Sequence, residues 1–461
     1  MSIPLGDVLD EATAAGWLRR GGLGDDASAE KARRLGHCAR ALIDAGASDR
    51  APAAAFFVPG RIEVLGKHTD YAGGRTIVAA AERGFCILAV ARDDAELHVA
   101  ALDLAETSAF EIAPDLTPTV GHWSNYPMTV ARRVARNFPG PLRGANMALA
   151  SDLPVAAGMS SSSALIVSVF HALAAVNALS GRPEYAREIA DAESLAGYLA
   201  TIENGQSFGT LTGDRGVGTF GGSEDHVAML CSRPGLLSQY AYCPVRLQQR
   251  LALPAGWVLA IAASGVQAAK TGDAMAKYNR ASALARSAVD AWNAAAGRDD
   301  PNLAAALADN DAADRFRDVL DDLPAGGAFP PDALRARFEH FLAEDQEIIP
   351  PAAEALTDGN VPAFGELVDR SQALAETLLG NQIPETIFLA RSARESGAAA
   401  ASAFGAGFGG SVWALVRTDD ADAFGARWSA DYAKAFPAPA SRASFFLTRP
   451  GPAAFELAPA D

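Results

Sequence analysis

Cysteine is scarce in this sequence, and the few that occur exclude two classes of protein. The 461 residues contain four cysteines, Cys38, Cys86, Cys231 and Cys243, and no two of them form a C-x-x-C pair. A disulfide-rich secreted domain and a zinc-binding module both need closely spaced cysteines. We therefore expect free, buried thiols in a reducing compartment, which predicts a cytoplasmic protein.

Long apolar runs, basic clusters and metal-binding motifs are also missing. No apolar run reaches the ~18 residues that a membrane-spanning helix needs, and the N-terminal segment lacks the apolar core of a signal peptide. The net charge of −16 argues against a nucleic-acid or anionic-membrane surface. The seven histidines show no metal-ligand spacing. We expect neither a nucleic-acid nor a membrane partner.

What is present is the composition of a globular protein with more than one domain. Hydrophobic residues make up 49% and charged residues 20%, which allows a large core. At about 150 residues per domain, the length predicts two or three domains. Hydrophobic periodicity predicts a helical extension over 1–50, followed by domains at 51–250 and 251–461.

The local patterns predict an α+β fold. FFVPGRIEVLG and TIVAAAERGFCILAVARD are rich in β-branched and aromatic residues, which indicates strands. ALIVSVFHALAAVNAL (164–179) is apolar nearly all round, which predicts a buried helix. The second half alternates alanine-rich helices with a strand at 411–418.

Two glycine-rich segments match nucleotide-binding motifs only in part. GRIEVLGKH (60–68) resembles a Walker A loop, but five residues separate its glycines and a histidine follows the lysine. GAGFGGS (405–411) fits G-x-G-x-x-G by letter, but a predicted strand follows it where a dinucleotide fingerprint opens a helix.

A third segment, LPVAAGMSSSSALIVSV (153–169), has the pattern of a phosphate-binding loop. A glycine, Gly158, and the serines Ser160, Ser161, Ser162 and Ser163 lead directly into the apolar helix. One serine would suffice as a helix cap. A run of four suits a polyanion, because backbone N–H groups hold phosphate and a hydroxyl can hold Mg²⁺.

Taken together, these segments resemble the GHMP kinase superfamily and its galactokinase family. The resemblance spans roughly 52–420 and rests on several motifs in the family's order. They are PGRIEVLGKHTDYAGG (59–74), WSNY (123–126), LPVAAGMSSSSA (153–164), GGSEDH (221–226), KYNRASALA (277–285) and AFGAGFGGSVWALV (403–416). The family fold is an N-terminal α/β domain and a ferredoxin-like C-terminal domain, with the active site in the cleft between them.

The resemblance implies a Mg²⁺- and ATP-dependent sugar kinase and assigns residues to the phosphoryl transfer. Asp225 matches the catalytic aspartate and Arg61 the arginine that stabilises developing negative charge. Trp123 matches a residue that contacts adenine, and the loop from Gly158 to Ser163 matches the ATP phosphate loop. Ser162 matches the Mg²⁺ serine. Glu203 is the better match for the Mg²⁺ glutamate, with Glu193 as the alternative.

The resemblance also assigns a sugar site. His68, Asp70, Gly222 and Tyr278 match positions that contact the hexose in the family. A carboxylate such as that of Asp70 can accept hydrogen bonds from two adjacent hydroxyls. A structural role stays open for three of them: Asp70 could cap a turn, His68 could be a core residue, and Tyr278 could pack a helix.

The departures from the family pattern cluster at this sugar site. Lys67 replaces a glutamate that binds the sugar C6 hydroxyl, Glu63 replaces an asparagine, and Glu224 replaces an apolar residue. His226 replaces a glutamine, and 205–220 is an insertion. Since an ammonium pairs well with a carboxylate, we consider Lys67 a ligand of an acidic or otherwise C6-modified sugar. The alternative is an internal ion pair of Lys67 with Glu63 or Glu224.

The predicted function is therefore transfer of the γ-phosphoryl group of ATP to the anomeric (C1) hydroxyl of galactose or a galactose-like sugar. Two alternatives are a catalytically silent sugar and ATP sensor, and another GHMP small-molecule kinase. The resemblance leaves the role of 1–50 open, and we expect a monomer or weak dimer.

Overall fold

The computed structural model describes residues 2–154, 157–266 and 273–459, and its strands form two β-sheets. The thirteen strands of the described residues are β1 (Ile3–Pro4), β2 (Pro52–Leu65), β3 (Arg75–Ala91), β4 (Glu96–Ala101), β5 (Glu106–Glu111), β6 (Ala145–Ser151), β7 (Leu236–Ala241), β8 (Arg246–Ala252), β9 (Trp257–Ala263), β10 (Ala400–Phe404), β11 (Ser411–Arg417), β12 (Ser444–Thr448) and β13 (Phe455–Glu456).

The same residues contain seventeen α-helices. They are α1 (Leu5–Val8), α2 (Glu11–Arg20), α3 (Asp25–Asp44), α4 (Asn125–Asn137), α5 (Ser161–Val176), α6 (Pro183–Glu188), α7 (Ala192–Asn204), α8 (Glu224–Cys231), α9 (Asp273–Ala296), α10 (Leu303–Ala306), α11 (Ala312–Asp321), α12 (Pro331–Leu342), α13 (Ile349–Thr357), α14 (Val361–Leu374), α15 (Pro384–Glu395), α16 (Ala421–Ala435) and α17 (Pro437–Ala440). Short 3-10 helices lie at Asp70–Ala72, Leu102–Leu104 and Leu179–Gly181, and π-helical turns at Ala343–Ile348 and Ala375–Leu379.

The first sheet has the strand order β1-β2-β3-β6-β4-β5, with β7 added to β3, β8 to β7 and β13 to β2. Its two long central strands, β2 and β3, are antiparallel and buried along most of their length. Successive side chains of a strand point to opposite faces. Both faces must therefore be covered, which explains why these strands are apolar without strict alternation.

Each face of the first sheet packs on a different group of helices. Ile87 and Leu149 belong to the main core with α5. Phe57 and Leu88 point the other way and pack with α1, α2 and α3. The helices that the sequence predicts over 1–50 therefore cover the second face of the sheet. Without them Phe57, which is fully buried, would be exposed to water.

The second sheet is antiparallel with the order β10-β11-β9-β12. Helices α15 and α16 pack on this sheet. Their shared core includes Leu389 of α15, Ala414 of β11 and Trp428 of α16. The chain then returns to the first sheet, where Phe455 of β13 pairs with Phe57 of β2. The expected α+β fold is confirmed, and the domain boundaries at 50 and 250 stay predictions.

Two expectations from composition can be compared with the described residues directly. The four cysteines are free thiols; Cys38, Cys86 and Cys231 are buried, whereas Cys243 is exposed. No helix in the described part of the chain is long and apolar enough to cross a membrane.

The helix predicted at 164–179 begins earlier, at Ser161, because the serine run itself forms its first turn.

Candidate functional site

A cavity of about 320 Å³ brings together most of the residues singled out in the sequence. Its lining comes from β2, the 3-10 turn after it, the serine loop, the start of α8, the start of α9 and the glycine-rich turn before β11. The predicted site residues that line it are Arg61, His68, Asp70, Trp123, Gly158, Ser160, Ser161, Ser162, Glu203, Gly222, Asp225 and Tyr278. Lys67 and Ser163 are not among the lining residues.

At the centre of the cavity Arg61 of β2 contacts Asp225 of α8. The guanidinium donates from Nε to Asp225 Oδ1 at 2.7 Å, and Nη2 lies 2.6 Å from the same oxygen. Arg61 Nη1 donates to the carbonyl of Gly158 at 3.1 Å, which ties the pair to the serine loop. Burial lowers the pKa of Arg61, but Asp225 and the other nearby carboxylates more than offset this and raise it above its usual value.

The serine loop presents the N-terminus of α5 to the cavity. Gly158 and Ser160 both have positive φ (75° and 56°), so the chain turns sharply before the helix begins at Ser161. A Cβ on Gly158 would lie 2.9 Å from the carbonyl oxygen of Phe404, so the close approach of the two loops requires glycine. No side chain caps this helix start. Its first N–H groups are therefore available to an anion.

Ser163 lies behind the cavity rather than in it. Its side chain is fully buried and donates to Glu203 Oε2 at 2.7 Å and to Asp225 Oδ2 at 3.2 Å. Ser163 is not among the lining residues, and its hydroxyl already donates to two carboxylates that are, which corrects the expectation that this side chain contacts ATP. Its contacts instead fix the orientation of these two carboxylates.

The residues proposed for a metal can be compared by location. Ser162 and Glu203 both line the main cavity, whereas Glu193 lines a second cavity with Asp191 and Ser194. A hydroxyl and a carboxylate are oxygen ligands of the kind that Mg²⁺ uses, together with water and nucleotide phosphates. No group of three or more His, Cys, Asp and Glu side chains within the described ranges could hold a metal alone. The pair therefore fits a metal that arrives with a nucleotide, and location favours Glu203 over Glu193.

On the opposite side of the cavity the loop after β2 holds His68 and Asp70. Asp70 Oδ2 accepts from the backbone N–H of Glu224 at 3.1 Å, and burial raises the pKa of this carboxyl. A Cβ on Gly222 would lie 2.4 Å from the same oxygen, so only glycine fits beside Asp70. His68 Nδ1 pairs with the hydroxyl of Tyr71 at 2.9 Å, and its ring lies 5.3 Å from that of Tyr278.

Lys67 does not face the cavity, which corrects the expectation that it contacts a sugar. Its side chain is 0% exposed, and its ammonium donates to Ser402 Oγ at 2.8 Å and to Ser371 Oγ at 3.4 Å. Ser371 in turn donates to Glu344, whose raised pKa is due to burial and is partly offset by Lys67. The alternative, an ion pair of Lys67 with Glu63 or Glu224, is not formed among the described residues: the ammonium contacts two serine hydroxyls, and its charge acts on Glu63 and Glu344 from a longer distance.

Two carboxyls that the sequence showed only as departures do line the cavity. Glu63 follows Arg61 by two residues on β2, so both side chains lie on one face of the strand. Glu224 is adjacent to Asp225, and its Oε1 lies 3.3 Å from Arg61 Nε. The two side chains are 3% and 5% exposed. Burial raises the pKa of both; for Glu224 the charge on Glu63 is the next cause.

One end of the cavity is apolar and contains Trp123, the residue expected to contact adenine. Trp123 lines it with Tyr126 and Leu165, and Trp123 Nε1 donates to Glu106 Oε2 at 2.5 Å. Asp103 and Ser151 line the same end and carry no sequence signal of a known motif.

The N-terminal helices contact the residues of this apolar end directly. Arg34 of α3 donates to the carbonyl of Ser151 at 2.9 Å and to Asp103 at 3.2 Å. Lys31 forms a buried ion pair with Asp152, which lies just before the serine loop. Residues 1–50 therefore support the cavity as well as cover the sheet.

The insertion at 205–220 packs on α4 and reaches α9. Arg132 pairs with Asp214 at 2.7 Å, and Arg133 donates to the carbonyl of Gln206 at 2.7 Å. Asn279, the neighbour of Tyr278 in sequence, donates to the carbonyl of Gly218 at 3.0 Å.

Comparison with known proteins gives matches over the same segments. The family model "Galactokinase galactose-binding signature" matches 46–92, "GHMP kinases N terminal domain" matches 125–209 and "GHMP kinases C terminal" matches 352–434. A galactokinase of Roseiflexus sp. is 30% identical over 371 residues, which cover 79% of this chain and 84% of that protein. A galactokinase of Chloroflexus aggregans is 28% identical, with 81% and 87% covered.

Among solved structures, Lactococcus lactis galactokinase complexed with galactose superimposes with a TM-score of 0.73. The match covers 87% of this chain and 95% of that one at 23% identity, so it shows a shared fold.

Proposed function

The chain belongs to the galactokinase family of phosphotransferases, and from this premise we propose that it transfers the γ-phosphoryl group of ATP to the anomeric hydroxyl of a galactose-like sugar. The contact between Arg61 and Asp225, beside the uncapped start of α5, carries the proposal. It joins a charge pair suited to phosphoryl transfer and an anion-binding helix start in one cavity.

Asp225 has the geometry to orient the attacking hydroxyl. Its Oδ1 is held by Arg61 and its Oδ2 accepts from Ser163 at 3.2 Å, so the carboxylate cannot rotate freely. A sugar hydroxyl that donates to this carboxylate would be aligned for attack. Because a guanidinium in contact favours the ionised carboxylate, we infer that Asp225 acts chiefly by orientation and by accepting the proton late in the transfer.

Arg61 and the serine loop would hold the phosphates. Phosphoryl transfer depends mainly on positioning and on neutralising charge at the transferred group. Arg61 already contacts the carboxylate and the loop carbonyl of Gly158, so its position is fixed before ATP binds. We propose Ser160, Ser161 and Gly158 as phosphate ligands and Trp123 as the adenine contact.

We propose that Ser162 and Glu203 hold Mg²⁺, which would neutralise phosphate charge when bound. Glu203 accepts from Ser163 and, at 3.3 Å, from Thr219, so its carboxylate is fixed in place. Asp70, His68, Gly222 and Tyr278 are proposed sugar ligands. A cytoplasmic location and a monomer or weak dimer stay predictions.

A uronic acid is no longer the favoured sugar. That idea depended on the ammonium of Lys67, which is buried against Ser402 and Ser371. Glu63 and Glu224 line the cavity instead, and a carboxylate on the sugar would add a third acidic group beside two that burial already makes costly to ionise. A neutral or cationic galactose-like sugar is compatible with this lining.

The proposal is tested by incubating the purified chain with ATP, Mg²⁺ and galactose while ADP release is measured and the product is identified by ³¹P NMR. An anomeric sugar phosphate is expected. Tight binding of ATP and sugar without any product would instead support the silent sensor.

A further inference from the structure

We propose that the sugar site prefers an amino sugar, with the ammonium of the sugar bound by Glu63 and Glu224. This rests on the proposed function, because it names the substrate class of the same cavity. The sequence alone suggested an acidic sugar because of Lys67, whereas this proposal gives the sugar a positive charge.

The first observation is an excess of acid in the cavity lining. Among the described residues, Arg61 is the only lysine or arginine that lines it. Six carboxyls line the same cavity: Glu63, Asp70, Asp103, Glu203, Glu224 and Asp225. Asp225 is already paired with Arg61, and Glu203 is the proposed metal ligand. Glu63 and Glu224 have no assigned task in the phosphoryl transfer.

The second observation is that these two carboxyls are buried with unused acceptors. Glu63 Oε1 and Glu224 Oε1 accept no hydrogen bond from any residue that the structure describes. The nearest basic group of Glu224 is Arg61, at 3.3 Å, and this guanidinium is shared with Asp225. A buried carboxylate is costly to keep ionised unless it is fully paired. An added cation between Glu63 and Glu224 would therefore favour the ionised form of both side chains.

A protonated amine meets this requirement better than a hydroxyl. A hydroxyl of galactose donates one hydrogen bond and leaves the charge of the pair unchanged. An ammonium donates three hydrogen bonds and adds the opposite charge. Charge-assisted hydrogen bonds are roughly twice as strong as neutral ones.

The ammonium of Lys67, the other cation near these carboxyls, cannot neutralise Glu63 and Glu224 in place of a ligand. Lys67 is fully buried, and its ammonium is held by Ser402 and Ser371 on the C-terminal side. Its charge is also shared with Glu344.

The test is a panel of galactose, 2-amino-2-deoxygalactose, 6-amino-6-deoxygalactose and galacturonate, with kcat/KM measured for each at saturating MgATP. We expect one of the amino sugars to exceed galactose at least tenfold, and galacturonate to be the poorest. Both positional isomers are included because either carbon could face the pair.

Substitutions then test whether Glu63 and Glu224 cause the preference for an amino sugar. Glu63→Gln and Glu224→Gln keep the size of the side chain and remove the charge, so each should lower the ratio of amino sugar to galactose about tenfold. Glu366→Gln, at an exposed position of α14, removes the same charge elsewhere and should leave the ratio unchanged. The proposal is overturned if wild type prefers galactose, or if the ratio is the same in all variants.

Calorimetric binding of each sugar to the wild-type chain, with a non-hydrolysable ATP analogue present, separates this proposal from the proposed function. Tighter binding of an amino sugar without turnover would support the pair and refute the kinase. Turnover of galactose with no tighter binding of an amino sugar would refute the pair and keep the kinase.

Discussion

Replacing Glu63 by glutamine should stabilise the protein, and only at pH values where Glu63 is ionised. Burial raises the pKa of Glu63 to about 7; Arg61 and Lys67 lower it, while Glu344 and Asp225 raise it again. The ordinary pKa of a glutamate is about 4.3. The folded chain therefore holds a proton on Glu63 that the unfolded chain releases.

The sign of the effect follows from this difference in proton binding. Between about pH 4.5 and 7 the folded state binds more protons than the unfolded state, so the free energy of unfolding falls as pH rises. Above pH 7 the loss is complete. At about 1.4 kcal/mol for each pH unit, it amounts to roughly 3 kcal/mol. Glutamine carries no charge and escapes this loss.

The assay is thermal unfolding of wild type and Glu63→Gln at pH 8 and pH 5. At roughly 2 °C per kcal/mol for a chain of this size, we expect the variant to melt about 6 °C higher at pH 8. At pH 5 the gain should shrink to about 2 °C. Glu366→Gln serves as the exposed control, with no pH-dependent gain. A variant that is less stable than wild type at pH 8, or equally stabilised at both values, would refute the reasoning.

Three further substitutions test separate parts of the site. Asp225→Ala should lower kcat by about 10²-fold or more with binding of a fluorescent ATP analogue retained; full activity would remove Asp225 from the reaction. Lys67→Met should destabilise the fold by about 1–3 kcal/mol, because it removes the donor to the buried hydroxyls of Ser371 and Ser402; an altered sugar preference at unchanged stability would restore Lys67 as a sugar ligand. Arg34→Ala should raise KM for ATP several-fold and leave KM for the sugar unchanged, because Arg34 contacts Asp103 at the apolar end of the cavity. Equal changes in the two KM values would contradict this assignment of Arg34.

The parts of the site that could be predicted from the sequence are those built from short segments. The serine loop, with its helix directly behind it, is local in sequence, and α5 begins within it. Arg61, Asp225 and Asp70 were identified by family motifs, and all three line one cavity. Their mutual distances could not be predicted, because Arg61 and Asp225 are 164 residues apart.

The orientation of Lys67 could not be predicted, because it depends on distant partners. Gly66 and His68, on either side of it, have positive φ (108° and 59°), so the chain turns twice around the lysine. Its hydrogen-bond partners Ser371 and Ser402 follow it by 304 and 335 residues. A sequence motif records the residue type in the loop but not the side of the loop it faces.

The roles of Glu63 and of the N-terminal helices were hidden for a related reason. Glu63 is a departure from the family pattern, and only the shared face with Arg61 reveals that it lines the cavity. The periodicity of 1–50 predicts helices, but not that Lys31 and Arg34 would reach the residues around the serine loop. Long-range packing decides both.

Identification of the phosphorylated product tests the central claim most directly. The purified chain, ATP and Mg²⁺ are combined with galactose and the two amino sugars, and the products are examined by ³¹P NMR with proton coupling to locate the phosphate. We expect a phosphate on the anomeric carbon, formed by wild type and lost in Asp225→Ala. ADP release without a sugar phosphate, or a phosphate on another carbon, would contradict it.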